Sequence, residues 1–285
     1  MSLQPICAFP FSSHSSVRIG GSCEAYFPDS TEEFLLLLDR FYQSDQPFKV
    51  VGRASNILAC DGEIRTKIIF TERLCSVVPI LGGVRMQTGA RMSRVIYQAA
   101  KENKALLPEL IGVPGSLGGM VYQNASCYGR ELSEGFLRAR LYDLNRREVM
   151  EYSLDQMKFG YRDSILKHSN LVLLDADFRF LEEEKDCMKT IREVTKKRRM
   201  CAPEAPSLGS VFLKHEGISI GLLLDRLSQK GRRFGQLMVS GRHAGILVNL
   251  GGATYKDFKN AIAELSRLIF IHHGFYPHCE IEFLE

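Results

Sequence analysis

"VPGSLGGMVYQNASCYG", residues 113–129, sets Gly115, Gly118, Gly119 and Gly129 beside Pro114 and the adjacent amides Gln123 and Asn124. Glycine permits positive φ and close backbone approach, so such a turn can lie against a ligand and offer main-chain N–H groups to anionic oxygens. "GRASN", residues 52–56, is a second turn of this kind, placed directly after the apolar "FKVV" of 48–51. Glycine content alone leaves each as either a phosphate cradle or a plain turn. The familiar nucleotide signatures are missing: no G-x-G occurs in the chain, and no glycine opens a P-loop Lys-Ser or Lys-Thr.

The remainder of the chain bounds what such turns can serve. At 285 residues, 45 % hydrophobic and 25 % charged, it is long enough for two or three compact units. A net charge of +4 gives little support for nucleic acid or a membrane surface as partner, and leaves a small anionic molecule open. No apolar run approaches the roughly 18 residues of a membrane span, and the N-terminus lacks a basic start followed by an apolar stretch, so a cytoplasmic location is expected. Eight cysteines without a CxxC pair read as reduced thiols.

Periodicity and capping signals give an α+β chain. Helices are expected over 31–44 with Thr31 as cap, over 92–102, and after "EEEKD" with acids first and bases last. Further helices are expected over 217–231, ended by Gly231, and over 254–274, from Thr254 to a Gly274 cap. Strands are expected at 48–51, 64–70, 170–181, 243–250 and 278–284, with a hairpin over 136–153 turning near Asn145. "FGYRDSILK", 159–167, is polar at its centre and belongs on a loop; a boundary falls near Pro203 and Pro206. The KKRR run at 196–199 reads as a solvated face, and His272, His273, His278 and Cys279 are not read as metal ligands because the first pair ends a helix.

"VGRASNIL", "IGVPGSLGGMVYQNASCYGRE", "FGYRDSILK", "PSLGSVF", "QKGRRFGQLMVSGRHAGILVNLGGAT" and "HCEIEFL" together, in this order and spacing, resemble the MurB family, the UDP-N-acetylenolpyruvoylglucosamine reductases of peptidoglycan synthesis. The likeness spans nearly the whole chain and is closest to the shorter subtype of that family. It implies a vanillyl-alcohol-oxidase-type (PCMH-like) FAD-binding fold in two subdomains, 1–70 and 71–202, with a C-terminal α+β substrate domain over 203–285. FAD would be held by Gly52, Arg53, Ala54, Ser55 and Asn56 on one side and by Pro114, Gly115, Ser116, Gly118, Gly119, Gln123 and Asn124 on the other. The family usually carries glycine where Ala54 stands, a position at which a methyl group obstructs positive φ.

The implied reaction uses NADPH to reduce FAD, whose N5 passes a hydride to the methylene carbon of an enolpyruvyl ether on a nucleotide sugar. Negative charge then develops on the adjacent carbon and its carboxylate, which calls for fixed donors and an acid. The resemblance assigns Arg162 to the carboxylate, Ser210 to protonation of the carbon, and Glu280, carrying or sharing a proton, to the anion. Lys230 and Lys214 are candidates for the substrate carboxylate or diphosphate, and a monomer is expected. Two alternatives stay open: an oxidase of the same fold acting on an alcohol or sugar, and an inactive module that binds flavin or a nucleotide sugar.

Overall fold

The computed structural model describes residues 4–182 and 186–285. The first elements are β1 (Ile6–Pro10), β2 (Ser22–Tyr26), α1 (Thr31–Gln43), β3 (Phe48–Val51), β4 (Ile57–Ala59) and β5 (Ile64–Phe70). There follow β6 (Val77–Ile80), β7 (Gly83–Gln87), α2 (Met92–Lys101), α3 (Leu117–Tyr122), β8 (Ser126–Cys127), β9 (Arg130–Glu131), β10 (Phe136–Asp143), β11 (Glu148–Ser153) and β12 (Leu171–Arg179). The last part holds α4 (Cys187–Cys201), β13 (Ser207–Ser210), α5 (Ile220–Arg226), β14 (Arg233–Phe234), β15 (Leu237–Val239), β16 (Ile246–Asn249), α6 (Tyr255–His273) and β17 (Glu282–Leu284).

The chain divides into two compact units. One comprises residues 4–5, Ala25–Arg53 and Lys67–Arg198; the other comprises Ile6–Glu24, Ala54–Thr66 and Arg199–Glu285. A further sheet is ordered β1-β2-β5-β3, and β3 pairs in parallel with β5, Val51 opposite Phe70, in the first unit.

The first unit is built on the antiparallel sheet β11-β10-β12-β7-β6. Strand side chains alternate faces, and β12 uses the alternation to divide apolar from charged. Ala176 and Phe178 enter a core shared with Met86 of β7, Ile96 of α2, Leu117 and Val121 of α3, and Phe136 and Leu141 of β10. On the other face Asp175 and Asp177 are each only 2 % exposed. Arginines meet both: Arg85 Nε and Nη2 donate to Asp177 at 2.6 and 2.9 Å, Arg138 Nε donates to it at 2.9 Å, and Arg140 binds Asp175. Burial alone would push the Asp177 carboxyl up, but the bonds from Arg85 and Arg138 outweigh it and hold the group below its ordinary range. Phe34, Leu37, Leu38 and Phe41 of α1 form a second cluster with Ile69, Tyr142 and Leu174.

In the second unit the sheet runs β13-β16-β15-β14. Phe258, Ala261, Leu265 and Ile269, spaced three and four apart on α6, pack with Leu237, Val239 and Leu247 of that sheet and with Leu223 and Leu224 of α5. Val17, Ile19 and Leu58 join the same cluster, so segments from early in the chain complete this core. Asn249 fixes one of them: its Nδ2 donates to Val17 O at 2.9 Å, and its Oδ1 accepts from Gly251 N and Ala253 N at 2.8 and 3.2 Å. β17 lies parallel to β4, with Glu282 opposite Ile57 and Leu284 opposite Ala59.

α6 starts at Thr254 in a reciprocal capping box with Asp257 and ends at Gly274, whose φ is +79°, as its sequence predicts. The hairpin of β10 and β11 also follows the pattern. Three expectations need correction. Ser30, not Thr31, caps α1, because the preceding hydroxyl reaches Glu33 N at 3.2 Å while Thr31 already lies in the first turn. α5 covers only Ile220–Arg226, and Gly231 falls beyond it, its N–H bonded to Val239 O at 2.9 Å in place of a helix carbonyl. The closing strand spans only Glu282–Leu284, for reasons given below. Of the acids expected ahead of α4, Glu183 and Glu184 lie outside the described residues; Asp186 Oδ1 accepts from Lys189 N at 2.8 Å.

Asn249→Ala strips the buried Val17 O and Ala253 N, and the exposed Gly251 N, of their partner, and is expected to cost about 2 kcal/mol or more, read as a lowered urea midpoint; Thr254→Ala should cost only about 1 kcal/mol. Because the Asp177 pKa is depressed in the folded state, its contribution is complete above about pH 4 and is lost as pH falls through the lower folded value. Asp177→Asn is therefore expected to lower stability at neutral pH, by less than the roughly 3–5 kcal/mol of a fully buried pair since its arginines reach solvent, and to flatten the acid limb of a stability-versus-pH curve.

Candidate active site

The glycine-rich turn is fixed in the first unit by contacts that leave no room for a side chain at Gly118. Leu117 N donates to Ala90 O at 2.9 Å and Gly118 N to Thr88 O at 2.7 Å. A Cβ on Gly118 would stand 2.4 Å from Thr88 Oγ1, and one on Gly52 would stand 1.9 Å from Ser116 Oγ. Gly115, at φ +130°, occupies a conformation that only glycine adopts freely. The N–H of Gly118, one of those expected to face an anion, is thus bonded, like that of Leu117, to the segment after β7, and Gly52 and Gly118 serve close packing. Pro114 and Gly119 are exposed, while Gln123 is the half-buried residue that ends α3.

The Ser116 hydroxyl is different: it is 1 % exposed and has no partner among the described residues. A buried hydroxyl in that state costs stability unless a ligand meets it. Positive charge stands near the same turn. The Arg53 guanidinium is held below its ordinary range by burial first, and then by repulsion from Arg91 and Arg94, with Glu72 opposing.

The residues after Gly52 and Arg53 belong to the second unit. Ala54 is buried at φ +44°, so the position where glycine was expected does require a left-handed backbone, at about 1–2 kcal/mol for alanine. Ser55 is half-buried. Asn56 donates Nδ2 to Glu280 O at 2.8 Å, and its own carbonyl accepts from Glu282 N at 3.0 Å. Its amide therefore holds the C-terminal segment.

Arg162 lies on a tight turn of the first unit. Gly160 and Asp163 exchange main-chain bonds at 3.1 and 3.3 Å, and Arg162, at φ +55°, is the second of the two residues between them. The neighbouring Asp163 carboxylate is bound by His168 Nε2 at 2.8 and 3.0 Å. Asn124, expected to bond a cofactor, donates instead to Glu131 Oε2 and to Gly160 O. Both of its amide hydrogens are engaged by the protein, which corrects that assignment.

Ser210 ends β13 half-buried, opposite Ile246 and just after an irregularity in which Gly209 takes φ +77°. Such a bulge re-aims the side chain that follows it. Glu280 N donates to Val211 O at 2.8 Å, and Phe212 bridges Cys279, so the Ser210 and Glu280 segments run side by side in the second unit. Of the two lysines, exposed Lys230 pairs with Asp225 at 2.7 Å, and Lys214 is exposed.

Residues 25–145 match the model of an FAD binding domain, and residues 202–284 match that of the UDP-N-acetylenolpyruvoylglucosamine reductase C-terminal domain. The UDP-N-acetylenolpyruvoylglucosamine reductase of Lactococcus lactis subsp. cremoris (strain MG1363) is 32 % identical over 262 residues, covering 89 % of this chain and 86 % of that protein. That of Carboxydothermus hydrogenoformans is 32 % identical over 266 residues, covering 92 % and 87 %. The chain belongs to the UDP-N-acetylenolpyruvoylglucosamine reductase family. The crystal structure of the reductase (MurB) from Thermus caldophilus, 24 % identical and matched over 100 % of both chains, has the same fold at a TM-score of 0.81.

The chain is accordingly an FAD-dependent oxidoreductase of peptidoglycan synthesis. Its residues fit that cofactor. The orphaned Ser116 hydroxyl offers a hydrogen bond, and the cationic neighbourhood of Arg53, Arg91 and Arg94 suits a diphosphate. Arg91 and Arg94 escape a motif reading because they precede the glycine-rich turn by 22 and 19 residues; Thr88 escapes it because only the folded chain shows that Gly118 needs a neighbour there. Among the described residues no helix is long and apolar enough to cross a membrane.

Ser116→Ala is expected to weaken FAD binding about 5- to 10-fold, measured by flavin fluorescence titration, while leaving the flavin-free protein as stable or more stable by up to about 1 kcal/mol. A flavin-free protein destabilised by this change would show that the hydroxyl has a protein partner instead.

Proposed function

We propose that this enzyme reduces UDP-N-acetylglucosamine enolpyruvate to UDP-N-acetylmuramate with NADPH as the reductant. The observation that carries this reading is the main-chain pairing of the Ser210 and Glu280 segments within the region matched by the reductase C-terminal model. Residues 1–70 and 71–202 serve the flavin in this reading, and 203–285 serve the substrate.

Bound FAD, once reduced, supplies the hydride that adds to the enolpyruvyl methylene carbon. The double bond then places its electron pair on the adjacent carbon, from which charge spreads into the carboxylate. Arg162 presents a planar fork of donors suited to a carboxylate gaining charge. Glu280 lends a proton in a hydrogen bond to the same anion, so that charge is met where it develops. Ser210 gives its hydroxyl proton to the carbon and recovers one from solvent. A hydroxyl is a weak acid, but the carbanion-like centre is a strong enough base for the transfer. Lys214 and Lys230 are assigned to the substrate's anionic groups, Lys230 exchanging Asp225 for the substrate. Gly52, Ser55, Gly115, Ser116 and Gln123 line the flavin.

Anaerobic stopped-flow separates the roles. Ser210→Ala should leave flavin bleaching by NADPH within about twofold of wild type, and slow recovery of flavin colour on adding the enolpyruvyl substrate by roughly 10²- to 10⁴-fold. Equal loss in both halves would remove Ser210 from the proton transfer. Recovery driven by oxygen but not by substrate would point to an oxidase.

A further inference from the structure

Asn124 is 1 % exposed, at φ +38°, and every strong bond it makes is within the first unit. Nδ2 donates to Glu131 Oε2 at 2.9 Å and to Gly160 O at 3.0 Å, and Oδ1 accepts from Ser133 N at 3.1 Å. Gly160 O can only accept and Ser133 N can only donate, so the orientation of the amide is fixed by its partners. Glu131 is itself held in a reciprocal capping box with Glu134. Asn124 is thus a rigid donor aimed at one carbonyl, and that carbonyl opens the turn carrying Arg162.

We propose that Asn124 is the positioning residue for Arg162, which rests on the reading that Arg162 receives the substrate carboxylate. Gly160 O takes two donors, Asp163 N from within the turn and Asn124 Nδ2 from outside it. The first closes the turn. The second stops the Gly160–Tyr161 peptide from rotating, and so keeps Arg162 in its left-handed conformation, which arginine adopts only when its surroundings impose it. Two further ties bind the same segments: Ser164 Oγ donates to Tyr122 O at 2.8 Å, and Lys167 Nζ donates to Arg162 O at 2.7 Å. Without the amide, the guanidinium would be displaced from the position at which it meets developing charge.

Asn124→Asp keeps the shape and the oxygen that receives Ser133 N–H, and replaces both donors by an acceptor. In the holoenzyme, flavin content and the rate of flavin reduction by NADPH should stay within about twofold of wild type, while flavin reoxidation by the enolpyruvyl substrate should slow roughly 10²-fold. Loss of flavin with normal reoxidation of what remains would assign Asn124 to the cofactor and overturn the proposal, as would an equal decline of both half-reactions. Arg162→Ala distinguishes the two layers. Wild-type reoxidation in Arg162→Ala would overturn the reading of Arg162 and the proposal with it; slow reoxidation there but wild-type reoxidation in Asn124→Asp would overturn the proposal alone. Should Asn124→Asp not fold, Ser164→Ala decides: about tenfold slower reoxidation with normal reduction supports positioning through the turn, and wild-type reoxidation overturns it.

Discussion

Strand pairing between residues more than two hundred positions apart organises the second unit. Ile57–Ala59 runs parallel to Glu282–Leu284, and Cys60 N donates to Leu284 O at 2.8 Å just beyond the paired residues. Upstream of that ladder the same C-terminal segment pairs with a different partner: Leu213 N donates to His278 O at 2.9 Å and Glu280 N to Val211 O at 2.8 Å. A chain that changes partners leaves main-chain groups exposed at the change, and buried ones must be met by side chains. Glu280 stands at that point. Its N–H belongs to the first pairing, and its C=O is met by the Asn56 amide. The closing strand is shorter than its alternating sequence predicts because this exchange occupies its first half.

The same device recurs in the first unit. Asn56 and Asn124 come from the two glycine-rich stretches, and both look like ligand donors when read as sequence. In the folded chain one amide holds the main-chain carbonyl of Glu280, and the other holds a carbonyl two residues before Arg162. Each fixes the backbone of a residue to which the proposed reaction assigns a role, a task that requires a donor rigid enough to keep its aim. Burial supplies the rigidity for Asn124, since a buried amide whose partners are all in place has no competing water to exchange with.

Legibility in the sequence followed the range of the interaction. α6 and the β10–β11 hairpin were readable because cap, periodicity and turn residues lie within a few positions of one another. The ends of α1 and α5 were misplaced where two adjacent residues could both cap, or where a glycine served a strand contact beyond the helix. Arg162, Ser210 and Glu280 stand out through whole motifs resembling a family, not through their local chemistry. The partners of Asn56 and Asn124 were not legible at all, because the Asn56 amide meets a carbonyl 224 positions away and the Asn124 amide one 36 positions away.

Backbone strain sharpens the distinction between holding and being held. Ala54, Asn124 and Arg162 all lie at positive φ, yet so do Asp45, Asn103 and Arg147, which sit in turns between elements. Strain by itself therefore does not mark the site. A left-handed residue costs about 1–2 kcal/mol, and a surface turn offsets that with local bonds alone. The turn of Arg162 is closed by Gly160 and Asp163, and then fixed again by Asn124, Ser164 and Lys167. A turn needs only the first closure to exist. The additional ties restrict which of its conformations is populated, and that restriction matters only if the direction of the side chain it carries has a use.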